Sequence, residues 1–147
     1  MNGKNLFLMA GGILSIVAAL LHVAIIIGGA DWYRFFGAGE EMATMAEQGS
    51  FIPGIVTFGI AAVLSIWGLY AFSGARLLIP LPFLKPVLVL VSAIYIIRGI
   101  GLIPAFFIVP DQVDRFLIWS SVISLIFGLA YAVGTKQEWS NLSIKNT

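Results

Sequence analysis

The chain has 147 residues, of which 60% are hydrophobic and only 10% are charged, and its formal net charge is +1 at pH 7. Soluble domains are about a quarter charged, so this composition excludes an ordinary water-soluble fold, and the small net charge argues against a nucleic-acid partner, which needs a basic face. The absence of cysteine excludes disulfides, thiol redox chemistry and cysteine metal sites.

Four apolar stretches follow one another along the chain, and each is long enough to cross a bilayer. A hydrocarbon core about 30 Å thick needs a helix of about 20 apolar residues, because an α-helix rises about 1.5 Å per residue. The first stretch is longer than the apolar part of a secretory signal peptide, so we expect an uncleaved anchor. The predicted spans are residues 6–29, 51–72, 86–109 and 116–134. The sequence therefore predicts an all-α fold, an integral membrane antiparallel four-helix bundle that forms one domain over residues 1–147.

The positive residues of the connecting segments predict the orientation. Most lysines and arginines outside the spans lie before span one, between spans two and three, or after span four. Because positively charged residues favour the cytoplasmic side, both termini are expected in the cytoplasm. The cytoplasmic set is Lys4, Arg76, Lys85, Lys136 and Lys145, against Arg34 and Arg115 on the outer side.

The first connection, residues 31–49, is expected to form a short amphipathic helical cap on the outer side. Asp31 is placed to cap a first helix, and Glu40 and Glu41 fall in the first turn of a second helix, where carboxylates suit the helix dipole. Ser50 is placed to cap the second span, and a solvated loop is the alternative to the whole cap. The predicted apolar sides are Trp32, Phe35 and Phe36 in the first helix and Met42, Met45 and Ala46 in the second.

Each span carries small or weakly polar residues on one face at helical spacing. Lipid tails are as apolar as leucine, so membrane helices associate through close packing and polar contacts, and these faces are expected to meet. They are Gly11, Ser15, Ala18 or Ala19, and His22 in span one; Thr57, Ala61, Ser65 and Gly68 in span two; Ser92, Tyr95 and Gly99 in span three; and Ser121, Ser124, Gly128 and Tyr131 in span four.

Two strongly polar ionisable residues, His22 and Arg98, lie within the spans. Arginine is costly to leave in hydrocarbon, so Arg98 is expected to find a partner in the acidic pair at 40–41 or in the competitors Asp111 and Asp114. Together with neighbours in the cap, these residues are expected to converge in the outer half of the bundle. The candidate ligand-binding set is His22, Tyr33, Arg34, Glu40, Glu41, Tyr95 and Arg98.

Several interpretations of this set are open. In the structural one, Arg98 and a glutamate form a buried pair that ties the cap to span three, while His22 bonds to a serine or a carbonyl. In the functional one, Arg98 binds an anionic or carbonyl group and His22 exchanges a proton near neutral pH. A contact with another subunit is a third. No catalytic or metal-binding residue is predicted, and any cofactor stays unknown. The chain has one histidine, so only a dimer could supply a bis-histidine haem, and His22 with two carboxylates is a weak and unspaced ligand set for zinc.

The middle of the cap has the sequence YRFFGAGEEMA over residues 33–43, and a second span led by Pro53 follows. In these features the chain resembles small four-helix bacterial inner-membrane proteins of uncharacterised function, and its layout is distantly similar to the DoxX-like group. The resemblance implies a bacterial inner membrane and carries no catalytic residue over to this chain.

The expected function is that of a non-enzymatic integral membrane accessory or binding protein. Its expected partners are the lipid bilayer and either a second copy of itself or a larger membrane complex. The alternative is a transporter or binding protein for a small or lipid-like molecule, with an outward-facing polar pocket around Arg98 and His22. A membrane enzyme that acts on a lipid or a quinone is the third possibility.

Overall fold

A computed structural model describes residues 3–143 of the chain, and the regular secondary structure in this range is helical. Candidate membrane spans, judged by length and hydropathy, are Leu6–Gly28, Ile52–Gly74, Leu84–Ile108 and Arg115–Gln137. The protein is therefore an all-α multi-pass membrane protein with four spans, as predicted. The helices are α1 (Leu6–Gly28), α2 (Ala30–Phe35), α3 (Glu40–Glu47), α4 (Ile52–Gly74), α5 (Leu84–Ile100), α6 (Leu102–Ile108), α7 (Arg115–Gln137) and α8 (Trp139–Ser143), with a 3-10 turn at Pro110–Gln112.

The predicted spans differ from the helices mainly at their ends. α4 begins at Ile52 with Pro53 in its first turn, where a missing N–H breaks no helical hydrogen bond, and the Ser50 hydroxyl accepts from the Ile52 nitrogen at 3.3 Å. The third span is divided at Gly101 into α5 and α6. α7 continues past the predicted limit at residue 134 to Gln137, and the short helix α8 follows it.

The chain forms two compact units. The first unit contains the chain up to Ser15 and from Trp67 onward, and the second unit is Ile16–Ile66. The helices α1 and α4 contribute residues to both units, so the boundary falls inside these helices and not in a connecting loop.

In the first unit, segments of all four long helices pack through glycines. A methyl carbon placed on Gly128 of α7 would lie 2.9 Å from the backbone nitrogen of Ile96 in α5. One placed on Gly134 would lie 2.9 Å from the nitrogen of Leu8 in α1, and one placed on Gly74 of α4 would lie 2.9 Å from the Leu8 side chain. The helices therefore approach as closely as small residues permit, which is the main source of helix association in lipid.

A buried polar network lies among these helices. The hydroxyls of Ser15 and Tyr131 are 2.8 Å apart, those of Ser15 and Tyr95 are 3.3 Å apart, and the Tyr131 hydroxyl also lies 3.0 Å from the Trp67 carbonyl, to which it donates. The Tyr95 ring packs edge-on against the rings of Trp67 and Phe127, each at 5.2 Å between centroids. Ser15, Tyr95 and Tyr131 all belong to the predicted polar faces, which meet here within the first unit.

A second polar cluster lies at the end of the first unit that holds the start of α1 and the end of α7. Asn5 Oδ1 accepts from the Leu8 nitrogen at 2.9 Å and caps α1, while Asn5 Nδ2 donates to Gln137 at 2.9 Å. Arg76 donates to the buried carboxylate of Glu138 at 2.6 Å. These contacts join the start of α1 to the end of α7, and the loop between α4 and α5 to Glu138.

Candidate functional site

The cap between the first two spans is a pair of short helices, α2 and α3. The link between them passes through Gly37 and Gly39, whose φ angles of 69° and 95° are easy for glycine and strained for other residues. Glu40 and Glu41 lie in the first turn of α3, as predicted. The prediction that Asp31 caps α2 is wrong, because the helix already begins at Ala30 and Asp31 lies inside its first turn.

The apolar side of α2 also differs from the prediction. Tyr33 is buried, at 2% exposure, whereas Phe35 is 76% exposed and Trp32 is 41% exposed. Because Tyr33 and Phe36 are three residues apart, they share a helix side, and this side faces the inside of the cap. The cap core consists of Ile25, Tyr33 and Ala43, with Ala30, Phe36, Met42 and Ala46 packed against it.

Arg34 joins α2 to both ends of α3. Its guanidinium donates to Glu40 through Nε at 2.9 Å and Nη2 at 2.7 Å, and to Glu47 through Nη1 at 2.7 Å. These charge-assisted hydrogen bonds lower the pKa of the Glu40 and Glu47 carboxyls and raise the pKa of the Arg34 guanidinium. All three side chains are partly exposed, so the network orients the two helices and adds little stability by itself.

The cap is expected to loosen at acidic pH. A carboxyl whose pKa is lowered in the folded state contributes stability above its ordinary pKa of 4.5, and this contribution is lost as pH falls through the lowered folded value. Carboxyl NMR titration in nanodiscs checks this: Glu40 and Glu47 should titrate at lower pH in the wild type than in Arg34→Gln. Equal titration midpoints in the two proteins would contradict the clamp.

A cleft of about 340 Å³ opens in the second unit, and we call it the cap cleft. It lies where the end of α1, the cap helices and the start of α4 meet, and its walls include Ile26, Pro53 and Ile55. Among the described side chains that line it, Tyr33 and Ser50 carry the hydroxyls. The cap cleft is therefore a mainly apolar recess whose walls include two side chains that carry a hydroxyl.

The Tyr33 hydroxyl is the unusual group of this recess. It is shielded from solvent and has no hydrogen-bond partner among residues 3–143. A buried hydroxyl without a partner costs about 1–3 kcal/mol, and native structures contain few of them. The Ser50 hydroxyl accepts from the Ile52 nitrogen and keeps its own hydrogen free to donate within the described chain.

The structure divides the predicted site residues between the two units. His22, Tyr33, Arg34, Glu40 and Glu41 belong to the second unit, where Tyr33, Arg34 and Glu40 come together in the cap. Glu41 is exposed. The remaining two residues, Tyr95 and Arg98, belong to the first unit, so convergence of the complete set stays a prediction.

His22 and Arg98 each have hydrogen-bond partners within their own unit. Nδ1 of His22 donates to the Ala18 carbonyl at 2.7 Å, which places the ring proton on Nδ1 because a carbonyl only accepts. Arg98 donates to the hydroxyls of Ser120 at 3.1 Å and Ser121 at 3.4 Å.

The two acids proposed as competitors for Arg98 are not its partners. Within the described part of the first unit, no carboxylate lies within 4.0 Å of the Arg98 guanidinium. Asp114 instead accepts from the Leu117 nitrogen at 2.7 Å and caps α7, which occupies the side chain locally. Asp111 lies in the 3-10 turn before α7 and is exposed.

Sequence reasoning missed part of the cap cleft. Ser50 was predicted only as a helix cap, and Phe51 and Ile55 were treated as ordinary span residues, although all three line the recess. The position of Ser50 directly before span two was the one available signal. Comparison with models of known families, with curated proteins and with solved structures found no match, so the functional argument depends on the site itself.

Proposed function

We propose that the protein is a non-enzymatic integral membrane binding protein whose cap cleft holds a small, lipid-like molecule. The observation that carries the proposal is the Tyr33 hydroxyl, buried beside the cleft without a partner in the described chain. A ligand group that bonds to this hydroxyl would remove the cost of leaving it unpaired. The volume of about 340 Å³ is within the usual range for small-molecule sites.

The chemistry of the cleft favours an uncharged ligand with hydrogen-bond acceptors. Among the side chains of its described walls, those of Tyr33 and Ser50 are the polar ones, and both hydroxyls can donate. The nearby guanidinium of Arg34 is already bonded to Glu40 and Glu47. A neutral amphiphile with ester or ketone oxygens next to an apolar body matches this pattern, whereas an anion would find no free cation in the walls.

We also propose where the protein is located and how it assembles. The distribution of lysine and arginine supports termini in the cytoplasm, which puts the cap on the outer side, and the resemblance to DoxX-like proteins supports a bacterial inner membrane. An accessory role, with a second copy of the chain or within a larger membrane complex, is compatible with ligand binding. The earlier alternative of a pocket around Arg98 and His22 is less supported, because neither side chain lines the cap cleft.

Tyr33→Phe tests the proposal. The melting temperature in detergent is measured with and without dioctanoylglycerol, a neutral amphiphile with ester carbonyls. The probe should raise the melting temperature of the wild type by several degrees at saturation. Without the probe, Tyr33→Phe should melt at the wild-type temperature or slightly above, because it deletes an unpaired hydroxyl, and most of its probe-induced shift should be lost.

Tyr70→Phe is the matched control. The Tyr70 hydroxyl donates to the Pro82 carbonyl at 3.1 Å, and Tyr70 does not line the cap cleft, so its removal should lower the melting temperature slightly and leave the probe-induced shift intact. If dioctanoylglycerol shifts the melting temperatures of the wild type and Tyr33→Phe equally, the probe does not bind to Tyr33 in the cap cleft. No shift with dioctanoylglycerol or with an uncharged long-chain ketone would contradict binding of a neutral amphiphile.

A further inference from the structure

Arg98 is an exposed residue within the third candidate span, where the surrounding medium is lipid. It lies near the end of α5, and its side chain reaches across to α7, where Ser120 and Ser121 accept its hydrogen bonds. A guanidinium carries more N–H donors than two hydroxyls can take. In the described part of the first unit, no carboxylate lies within 4.0 Å to take the rest.

Ser120 holds the guanidinium in place and does not bind an anion itself. The Ser120 hydroxyl donates its hydrogen to the Leu117 carbonyl at 3.1 Å, so its lone pairs are left to accept from Arg98 Nη2 at 3.1 Å. The guanidinium is therefore held on one side, and its other N–H groups have no acceptor in the described part of the first unit. Trp119, the neighbour of Ser120, is 66% exposed, as is typical of aromatic residues at the lipid–headgroup boundary.

The depth of this group suits a lipid headgroup. α7 has 23 residues, so its length is about 34 Å against a hydrocarbon core of about 30 Å. If the helix is centred, Arg115 lies about 2 Å outside the hydrocarbon and Ser120 about 5 Å inside it. A long arginine side chain can reach back to the interface from this depth, and a phosphate can be drawn inward by local thinning of the bilayer.

We infer that Arg98, positioned by Ser120, forms a second site that binds a phosphate group through bidentate hydrogen bonds. A phosphate supplies negative charge and several acceptor oxygens, which suit an oriented guanidinium that has no carboxylate partner in the described part of its own unit. The phosphate comes either from an anionic lipid or from free phosphate at the membrane surface. The site shares no residue with the cap cleft, and its test does not depend on the proposed function.

Lipid retention in native mass spectrometry tests the site. The protein in detergent is mixed with equal amounts of dioleoylphosphatidylglycerol and dioleoylphosphatidylcholine, and bound lipid is counted after mild activation. The wild type should prefer the anionic lipid, and Arg98→Gln should lower its retention about tenfold. Arg115→Gln at the same end of α7 and Lys136→Gln at the other end remove the same charge elsewhere and should change it less than about twofold.

A second pair of variants keeps the test decisive if Arg98→Gln folds poorly. Ser120→Ala removes the group that orients the guanidinium and should lower retention about threefold. Ser124→Ala, a matched change in the same helix whose hydroxyl donates to the Ser120 carbonyl, should leave retention unchanged. The proposed phosphate site would be overturned if Ser120→Ala and Ser124→Ala lost equal amounts of bound phosphatidylglycerol. Equal losses in Arg98→Gln and Arg115→Gln would overturn it as well.

Inorganic phosphate distinguishes the two sources. It is added to the protein in a neutral detergent, and the melting temperature is measured for the wild type and for Ser120→Ala. A phosphate-induced rise in the wild type that is lost in the variant identifies a free-anion site. No rise with phosphate, together with Ser120-dependent retention of phosphatidylglycerol, identifies a lipid headgroup site.

Discussion

A Gly128→Ala variant is expected to be less stable than a Gly59→Ala variant by about 1–3 kcal/mol. The added methyl at position 128 would lie 2.9 Å from the Ile96 nitrogen and 2.7 Å from the Ile96 side chain. The side chain can rotate away, but the backbone nitrogen belongs to α5 and can move only if the two helices separate. Separation also loosens the close contact that holds helices together in lipid.

Gly59 is the matched control because it makes the comparison independent of helix propensity. It lies within α4, and a methyl placed on it meets no described atom within 4 Å. Both variants gain the same propensity of about 1 kcal/mol for alanine over glycine, so their difference measures the crowding at Gly128. Unfolding by SDS in mixed micelles gives the two free energies. Equal free energies of unfolding for the two variants would show that α5 and α7 have room for the added methyl group. If they lack that room, Gly128→Leu should be less stable still than Gly128→Ala.

The spans could be predicted because lipid imposes a simple rule on the sequence. A helix must be about as long as the hydrocarbon is thick and must stay apolar throughout, so hydropathy alone located α1, α4, α7 and the third span to within a few residues. The break at Gly101 was harder to place, since a glycine followed by Pro104 is compatible with either a bend or an end. The glycines and acidic residues of the cap likewise predicted α3.

The pairing of charges in the cap could not be read from composition. Glu40 and Glu41 were considered only as partners of Arg98, whereas in the cap Glu40 pairs with Arg34, six residues earlier in the chain. The turn through Gly37 and Gly39 brings the two together, but sequence spacing does not specify the direction of that turn. The same turn determines which side of α2 faces the inside of the cap. The sequence predicted Phe35 on that side, whereas the structure has Tyr33 there.

The cap cleft depends on how helix ends from different parts of the chain meet. Ile26, Ala46 and Pro53 contribute walls to one recess although each lies on a different helix. Their residue types are ordinary for membrane helices, so nothing in the pattern marks them. The lack of a partner for the Tyr33 hydroxyl is likewise a property of the folded chain, since tyrosine usually finds one when buried.

The ion pair between Arg76 and Glu138 is expected to stabilise the first unit, and Glu138→Ala should cost about 2–3 kcal/mol. The carboxylate is buried at 8% exposure, and it accepts from Arg76 at 2.6 Å and from Asn141 at 2.9 Å. The cost is below that of a fully buried pair because the Arg76 side chain keeps 31% of its surface exposed and can be solvated alone. Equilibrium unfolding in mixed micelles measures it, with Lys136→Ala as an exposed control in α7.

A double-mutant cycle separates the pair from its surroundings. Arg76 has a left-handed backbone with φ 63°, so alanine is the correct replacement: it keeps the same backbone strain, whereas glycine would relieve that strain and hide the lost ion pair. Arg76→Ala should cost at least as much as Glu138→Ala, because it leaves a buried carboxylate with Asn141 as its described donor. The double variant should then lose less than the sum of the single losses. Additive losses would mean that Arg76 and Glu138 stabilise the protein independently, and the loop between α4 and α5 would need another explanation for its attachment to the end of α7.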